Sequence, residues 1–174
     1  SKVAERLIAS RLVPFLQRNA FGKNQWAFSK GLGSKDLVTM LVMSWILAIC
    51  FGNKVGTYLN DIIDAFDRVF KIYLLAKLNA AGIGPIFLNF LDSYLAPRQG
   101  KVVVQGESSD IFEIQDSVFQ GSVLGPPLWN VFFADVANPA SAEGGQEAMF
   151  ADDLNVFKKF HRHTPLAEIM TDLT

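Results

Sequence analysis

The chain has 174 residues, half of them hydrophobic and 19 % charged, with a net charge of −1. That is long enough and apolar enough for a folded core, and it excludes a disordered tail. A single cysteine, Cys50, excludes an internal disulfide, and the near-zero net charge gives no hint of a strongly basic nucleic-acid binder.

The charge is unevenly spread. Residues 1–35 carry Lys2, Arg6, Arg11, Arg18, Lys23, Lys30 and Lys35 against Glu5, while the remainder is acidic on balance. Such an arm can meet phosphates, although a solvated helix face has the same composition. In chain order, Val3, Leu7, Ile8, Leu12 and Phe15 predict a helix over 3–18, broken or kinked at Pro14. The start is amphipathic and does not read as a signal peptide. FGKNQWAFSKGLGS, 21–34, reads as a loop. The most apolar run, 37–51, is interrupted by Thr39 and Ser44 and is shorter than the ~20 residues of a membrane span. It predicts a buried helix over 35–50.

VGTYLNDII, 55–63, predicts a strand. The following run predicts one helix, capped by Asp64, with Phe66, Val69, Phe70, Tyr73 and Leu74 on its buried face and Gly82 at its end. A further helix is expected over 86–96, and a hairpin over 101–115 around Gly106, Ser108 and Ser109. Pro126 and Pro127 suit the first turn of a helix running on through WNVFFADVA. The last hairpin is EAMF, a turn at Asp152 and Asp153, then LNVF. Strands interleaved with helices and hairpins make the fold class α+β.

Adjacent acids at a hairpin tip are ordinarily polar turn residues. Asp61, at the end of a strand, changes the reading. If that strand and the 148–157 hairpin are neighbours in one sheet, Asp61 and Asp152 converge. Oxygen ligands on rigid strands are what Mg²⁺ requires, and two such ions roughly 3.5–4 Å apart suit nucleotidyl transfer.

Four stretches carry a resemblance: DIIDAFDRVF at 61–70, VFQGSVLGPPLWNVFFADV at 118–136, FADD at 150–153 and NQWAFSKGLGSKD at 24–36. Together they resemble the reverse transcriptase domain of non-LTR, LINE-type retrotransposons, from end to end of the chain. The resemblance implies a right-hand polymerase palm, an antiparallel sheet packed on helices, with part of the fingers and no thumb. Residues 1–54 would be fingers and palm helices and 55–174 palm, in one partial domain.

It also implies an RNA-directed DNA polymerase using two Mg²⁺ ions, replaceable by Mn²⁺, on an RNA template, a DNA primer and deoxynucleoside triphosphates. Asp61, Asp152 and Asp153 would be the catalytic, metal-holding acids. The Ile62 carbonyl, Phe66, Gln120, Gly121, Phe150 and Ala151 would contact the nucleotide or primer, Phe66 as a ring leaving no room for a 2′-hydroxyl. The family habit implies an intracellular, nuclear protein without a membrane segment. Lys158 and Lys159 are candidate phosphate contacts, and His161 and His163 a polar surface pair.

Several positions depart from the family pattern: Ala27, Ser29, Asn60, Phe119 and Pro127. With fingertip and thumb segments expected beyond this stretch, the alternative is a catalytically dead palm relic, or a nucleic-acid-binding fragment of a degenerate copy.

Overall fold

The computed structural model describes residues 2–114, 117–136 and 144–173. The chain forms two compact units, one of Ser1–Ala20 with Asp64–Phe132, the other of Phe21–Ile63 with Phe133–Thr174.

In the first unit, α1 spans Lys2–Asn19 and runs straight through Pro14. The proline removes only a bond to the carbonyl of Ser10, and both residues lie on the exposed side, where water replaces the lost partner. The N-terminal part of the expected stripe is open to solvent, Val3 at 81 % and Leu7 at 73 %; Leu12 and Leu16 are the buried residues.

The single helix expected after Asp64 is in fact two pieces. A 3₁₀ turn covers Ala65–Arg68, Val69 and Phe70 are extended, and α3 runs Lys71–Ala80. Asp64 makes no side-chain cap and sits at φ 56°. The break rotates the sequence after it: Val69, Leu74 and Leu78 are buried, whereas Phe70 and Tyr73, expected inside, are exposed. Gly82 closes α3 at φ +93°, with the Ile83 N–H reaching the Leu78 carbonyl at 3.1 Å, a left-handed stop that favours glycine.

Helix α4, Pro85–Tyr94, starts on a proline whose missing N–H costs nothing at that position. A short outer pair, β2 (Arg98–Gly100) with β5 (Phe112–Ile114), flanks an inner one, β3 (Val103–Val104) with β4 (Glu107–Ser108). Gln105 and Gly106, both at positive φ, make the inner two-residue turn. Helix α5, Gly125–Phe132, ends earlier than WNVFFADVA suggested. Ala137, the last residue of that expectation, and Gln115, the last of the expected hairpin, lie outside the described residues.

In the second unit, α2 covers Ser34–Cys50. The Asp36 carboxylate accepts the Gly33 N–H at 2.9 Å, which satisfies the amide ahead of its first turn. The sheet has the order β1 (Asn53–Asn60), β7 (Asp153–His161), β6 (Gln146–Phe150), all antiparallel. One face packs on α2: Leu37 and Leu41 meet Ala148 and Phe157, with Trp26, Met40, Trp45, Val55 and Phe150 around them.

A last helix, α6, covers Leu166–Leu173 and has no counterpart among the sequence expectations. It packs on the other face, where Gly56 of β1 leaves room: a Cβ there would fall 2.6 Å from Leu173 and 2.9 Å from Ile169. Lys158 of β7 pairs with Asp172 of α6 at 2.7 Å. No helix among the described residues is long and apolar enough to cross a membrane.

Candidate acidic site

The strand order places β1 and β7 side by side, as convergence of the acids requires. Their register ends at Asn60 opposite Leu154, so the next step along both strands sets Asp61 opposite Asp153. On the other side Asp153 pairs with Phe150 of β6, and Ala151 and Asp152 form the two-residue turn between them. The sequence expectation of two acids at the tip is therefore refined: Asp152 is a turn residue and Asp153 the first residue of the strand.

A cleft of about 380 Å³ opens beside this sheet end, with Asp61, Asp153, Asn60, Asn155, Leu59 and Phe150 among its lining residues. Partial loss of hydration, the larger cause, and the negative charges of Asp152 and Asp61 hold the Asp153 carboxyl above the ordinary carboxylate range. Asp153 thus feels both neighbouring acids, and a cation beside it would offset their repulsion. Among the described residues no group of three or more His, Cys, Asp or Glu side chains stands ready-made around a metal position. The oxygen donors and their place at a strand end nevertheless suit a hard divalent cation.

A raised carboxyl pKa stabilises the fold below the ordinary carboxylate value and ceases to do so as the pH rises through the raised value. Asp153→Asn, in chelator-treated protein, is therefore expected to raise the melting temperature at pH 7. The gain should fade towards acid pH, where Asp153 is already neutral. Identical melting curves at pH 7 would contradict the repulsion.

The remaining expected site residues divide between the units. Ile62 is half-buried just beyond β1, Phe150 is half-buried against the α2 core, and Ala151 stands at φ +58° in the turn; these share the second unit with the acids. Phe66, Gln120 and Gly121 belong to the first. Phe66 stacks on Trp129, centroids 5.7 Å apart at 21°, and its carbonyl accepts the Val118 N–H at 2.9 Å. Gln120 and Gly121 are exposed at a turn, Gly121 at φ +78°. Lys159 is exposed, as are His161 and His163, whose rings lie 5.2 Å apart.

Sequence reasoning assigned no role to Gln25. Its side chain is buried, and its carboxamide binds both backbone groups of Ala151. No sequence signal marks it, because its main partner is the backbone of a residue 126 positions away.

A model of the reverse transcriptase (RNA-dependent DNA polymerase) family matches residues 1–174. The chain is 32 % identical over 164 residues to the RNA-directed DNA polymerase from mobile element jockey of Drosophila funebris, covering 91 % of this chain and 18 % of that protein. It is 33 % identical over 159 residues to a probable RNA-directed DNA polymerase from transposon X-element of Drosophila melanogaster, covering 90 % and 17 %. The chain therefore spans under a fifth of the length of these relatives. Among solved structures, apo telomerase from Candida tropicalis truncated from its C-terminal domain is similar, with a TM-score of 0.61 at 12 % identity over 98 % of this chain and 36 % of that one. At that identity the likeness is one of fold.

Proposed function

Since the chain belongs to the reverse transcriptase (RNA-dependent DNA polymerase) family, we propose that it forms the palm, with part of the fingers, of an RNA-directed DNA polymerase of a non-LTR element. Its acids Asp61, Asp152 and Asp153 hold the catalytic cations. The observation that carries this reading is the register of β1 on β7, which brings Asp61 level with Asp153 beside the turn bearing Asp152. Reverse transcriptases generally use divalent metal ions; here we propose two Mg²⁺, for which Mn²⁺ substitutes. When bound, they supply positive charge that lowers the pKa of a primer 3′-hydroxyl and steadies the triphosphate.

The chain's own residues have distinct tasks in this reading. The three carboxylates, just past β1, in the turn and at the start of β7, present oxygen ligands at one end of the sheet, and the Ile62 carbonyl adds one more. Phe150 and Ala151 border the primer end. Phe66, held by Trp129, acts as the bulky wall against a 2′-hydroxyl. Gln120 and Gly121 line the nucleotide and template pocket, glycine permitting close backbone approach. An RNA template, a DNA primer and deoxynucleoside triphosphates are the substrates, with duplex held mainly through its phosphates. Within this reading residues 1–54 serve as fingers and palm helices and 55–174 as palm, and the host compartment is the nucleus.

The second reading, a palm that keeps the shape without the reaction, draws support from the departures from the family pattern at Ala27, Ser29, Asn60, Phe119 and Pro127. RNA-templated primer extension separates the two. The polymerase reading expects deoxynucleotide addition that falls to background in Asp61→Asn and in Asp152→Asn, and ribonucleotide addition in Phe66→Ala. No extension by the unaltered chain under any divalent cation would leave the relic.

A further inference from the structure

The NQWAF stretch is zipped along β6. The Trp26 N–H donates to the Met149 carbonyl at 2.9 Å, the Met149 N–H donates to the Asn24 carbonyl at 2.8 Å, and the Asn24 amide donates to Glu147 Oε1 at 2.9 Å. This fixes Gln25, 5 % exposed, beside the turn that carries the acids.

Its carboxamide makes three hydrogen bonds. Oε1 accepts the N–H of Ala151 at 2.9 Å and of Ala27 at 3.0 Å, while Nε2 donates to the Ala151 carbonyl at 3.0 Å. Two N–H donors on one oxygen leave no ambiguity about which end of the amide is which. One side chain, 126 residues away in sequence, thus grips both polar groups of a single turn residue.

That residue needs a grip. Ala151 has φ +58°, a left-handed conformation that a residue with a Cβ rarely adopts. Turn residues at such angles persist only where the surroundings hold them. Asp152 follows directly, so the angle at Ala151 sets where that carboxylate points.

We propose that Gln25 is the positioning residue of the acidic turn: through Ala151 it fixes Asp152 and Asp153 in the attitude that a divalent cation requires. This rests on the reading of the three acids as a cation site, and it adds a supporting group that touches neither cation nor substrate. Groups that orient metal ligands typically contribute about 10–100-fold in affinity.

The test uses Gln25→Met, close in volume but unable to make these bonds, and Gln25→Glu, which keeps an acceptor for the two amides and loses the donor. Mn²⁺ affinity is measured by electron paramagnetic resonance and amide exchange by NMR. Gln25→Met is expected to bind Mn²⁺ about tenfold or more weakly and to lose protection at the Ala151 amide, while the Ala148 and Phe157 amides stay protected. Gln25→Glu should keep the Ala151 amide protected. Wild-type Mn²⁺ affinity in Gln25→Met overturns the proposal, and so does loss of protection through the whole sheet, which would make Gln25 a general packing residue. Asp61→Asn, measured alongside, reports separately on the cation reading. If it binds Mn²⁺ as the wild type does, that reading fails, and Gln25 no longer positions a cation site whatever the Ala151 amide shows.

Discussion

Phe157→Ala is expected to cost about 3–5 kcal/mol, the usual range for a fully buried ring. Phe157 is 2 % exposed at the centre of β7, where it meets Leu37 and Leu41 of α2 and the edge of Trp45, 6.3 Å between centroids. Removing the ring empties the space between the sheet and α2. The cavity cannot collapse freely, because β7 is held by β1 on one side and β6 on the other. The same strand begins with Asp153, so the loss should reach the acids as well as the core. Denaturant titration measures it. Phe51→Ala is the control: that ring is 82 % exposed, and its loss should stay within about 0.5 kcal/mol. Equal costs for the two changes would mean that the packing of α2 on the sheet is wrong.

The second large effect is expected at Gly125, in the first unit. A Cβ there would lie 2.8 Å from the Phe119 carbonyl oxygen and 2.8 Å from Ser122 Oγ, and 3.5 Å from the Phe66 ring. The first obstacle is backbone and cannot swing away. Ser122 is committed too: its hydroxyl donates to the Phe119 carbonyl at 2.7 Å and accepts the Gly125 N–H at 3.0 Å. Gly125→Ala must therefore open the loop or shift α5, at about 1–3 kcal/mol. Gly121→Ala meets no atom within 4 Å and pays only for its φ of +78°. A lower denaturation midpoint for Gly125→Ala than for Gly121→Ala confirms the crowding; the reverse order contradicts it. Glycine in QGSVLG thus serves two needs, a turn at 121 and close packing at 125.

Much of this was legible in the residues. Periodicity located α1, apolar runs located α2 and α4, and the hairpin around Gly106 and the FADD hairpin were visible as turn chemistry. What sequence could not show was adjacency. Nothing in YLND or FADD says that β1 lies on β7; only the register does. The helix after Asp64 failed for a different reason. Its apolar residues fit one helical face, yet Val69 and Phe70 are extended, so the face restarts at Lys71 with Leu74 and Leu78 inward. Helix α6 had no counterpart among the sequence expectations, and its docking depends on a distant residue, Gly56 of β1, which makes room for Ile169 and Leu173. For the site, the acids were readable as a motif, but Gln25 was not, since its partners are backbone groups far along the chain.

In this reading Asp61 just past β1, Asp152 in the turn and Asp153 at the start of β7 make a single cation site. Mn²⁺ binding to the unaltered chain, to Asp61→Asn and to Asp152→Asn, followed by electron paramagnetic resonance, tests it most directly. The unaltered chain is expected to bind, and each substitution to weaken binding clearly, because both side chains serve one ion-binding centre. Equal binding by all three, or none by any, would contradict it and leave FADD as a turn in a palm that holds no metal.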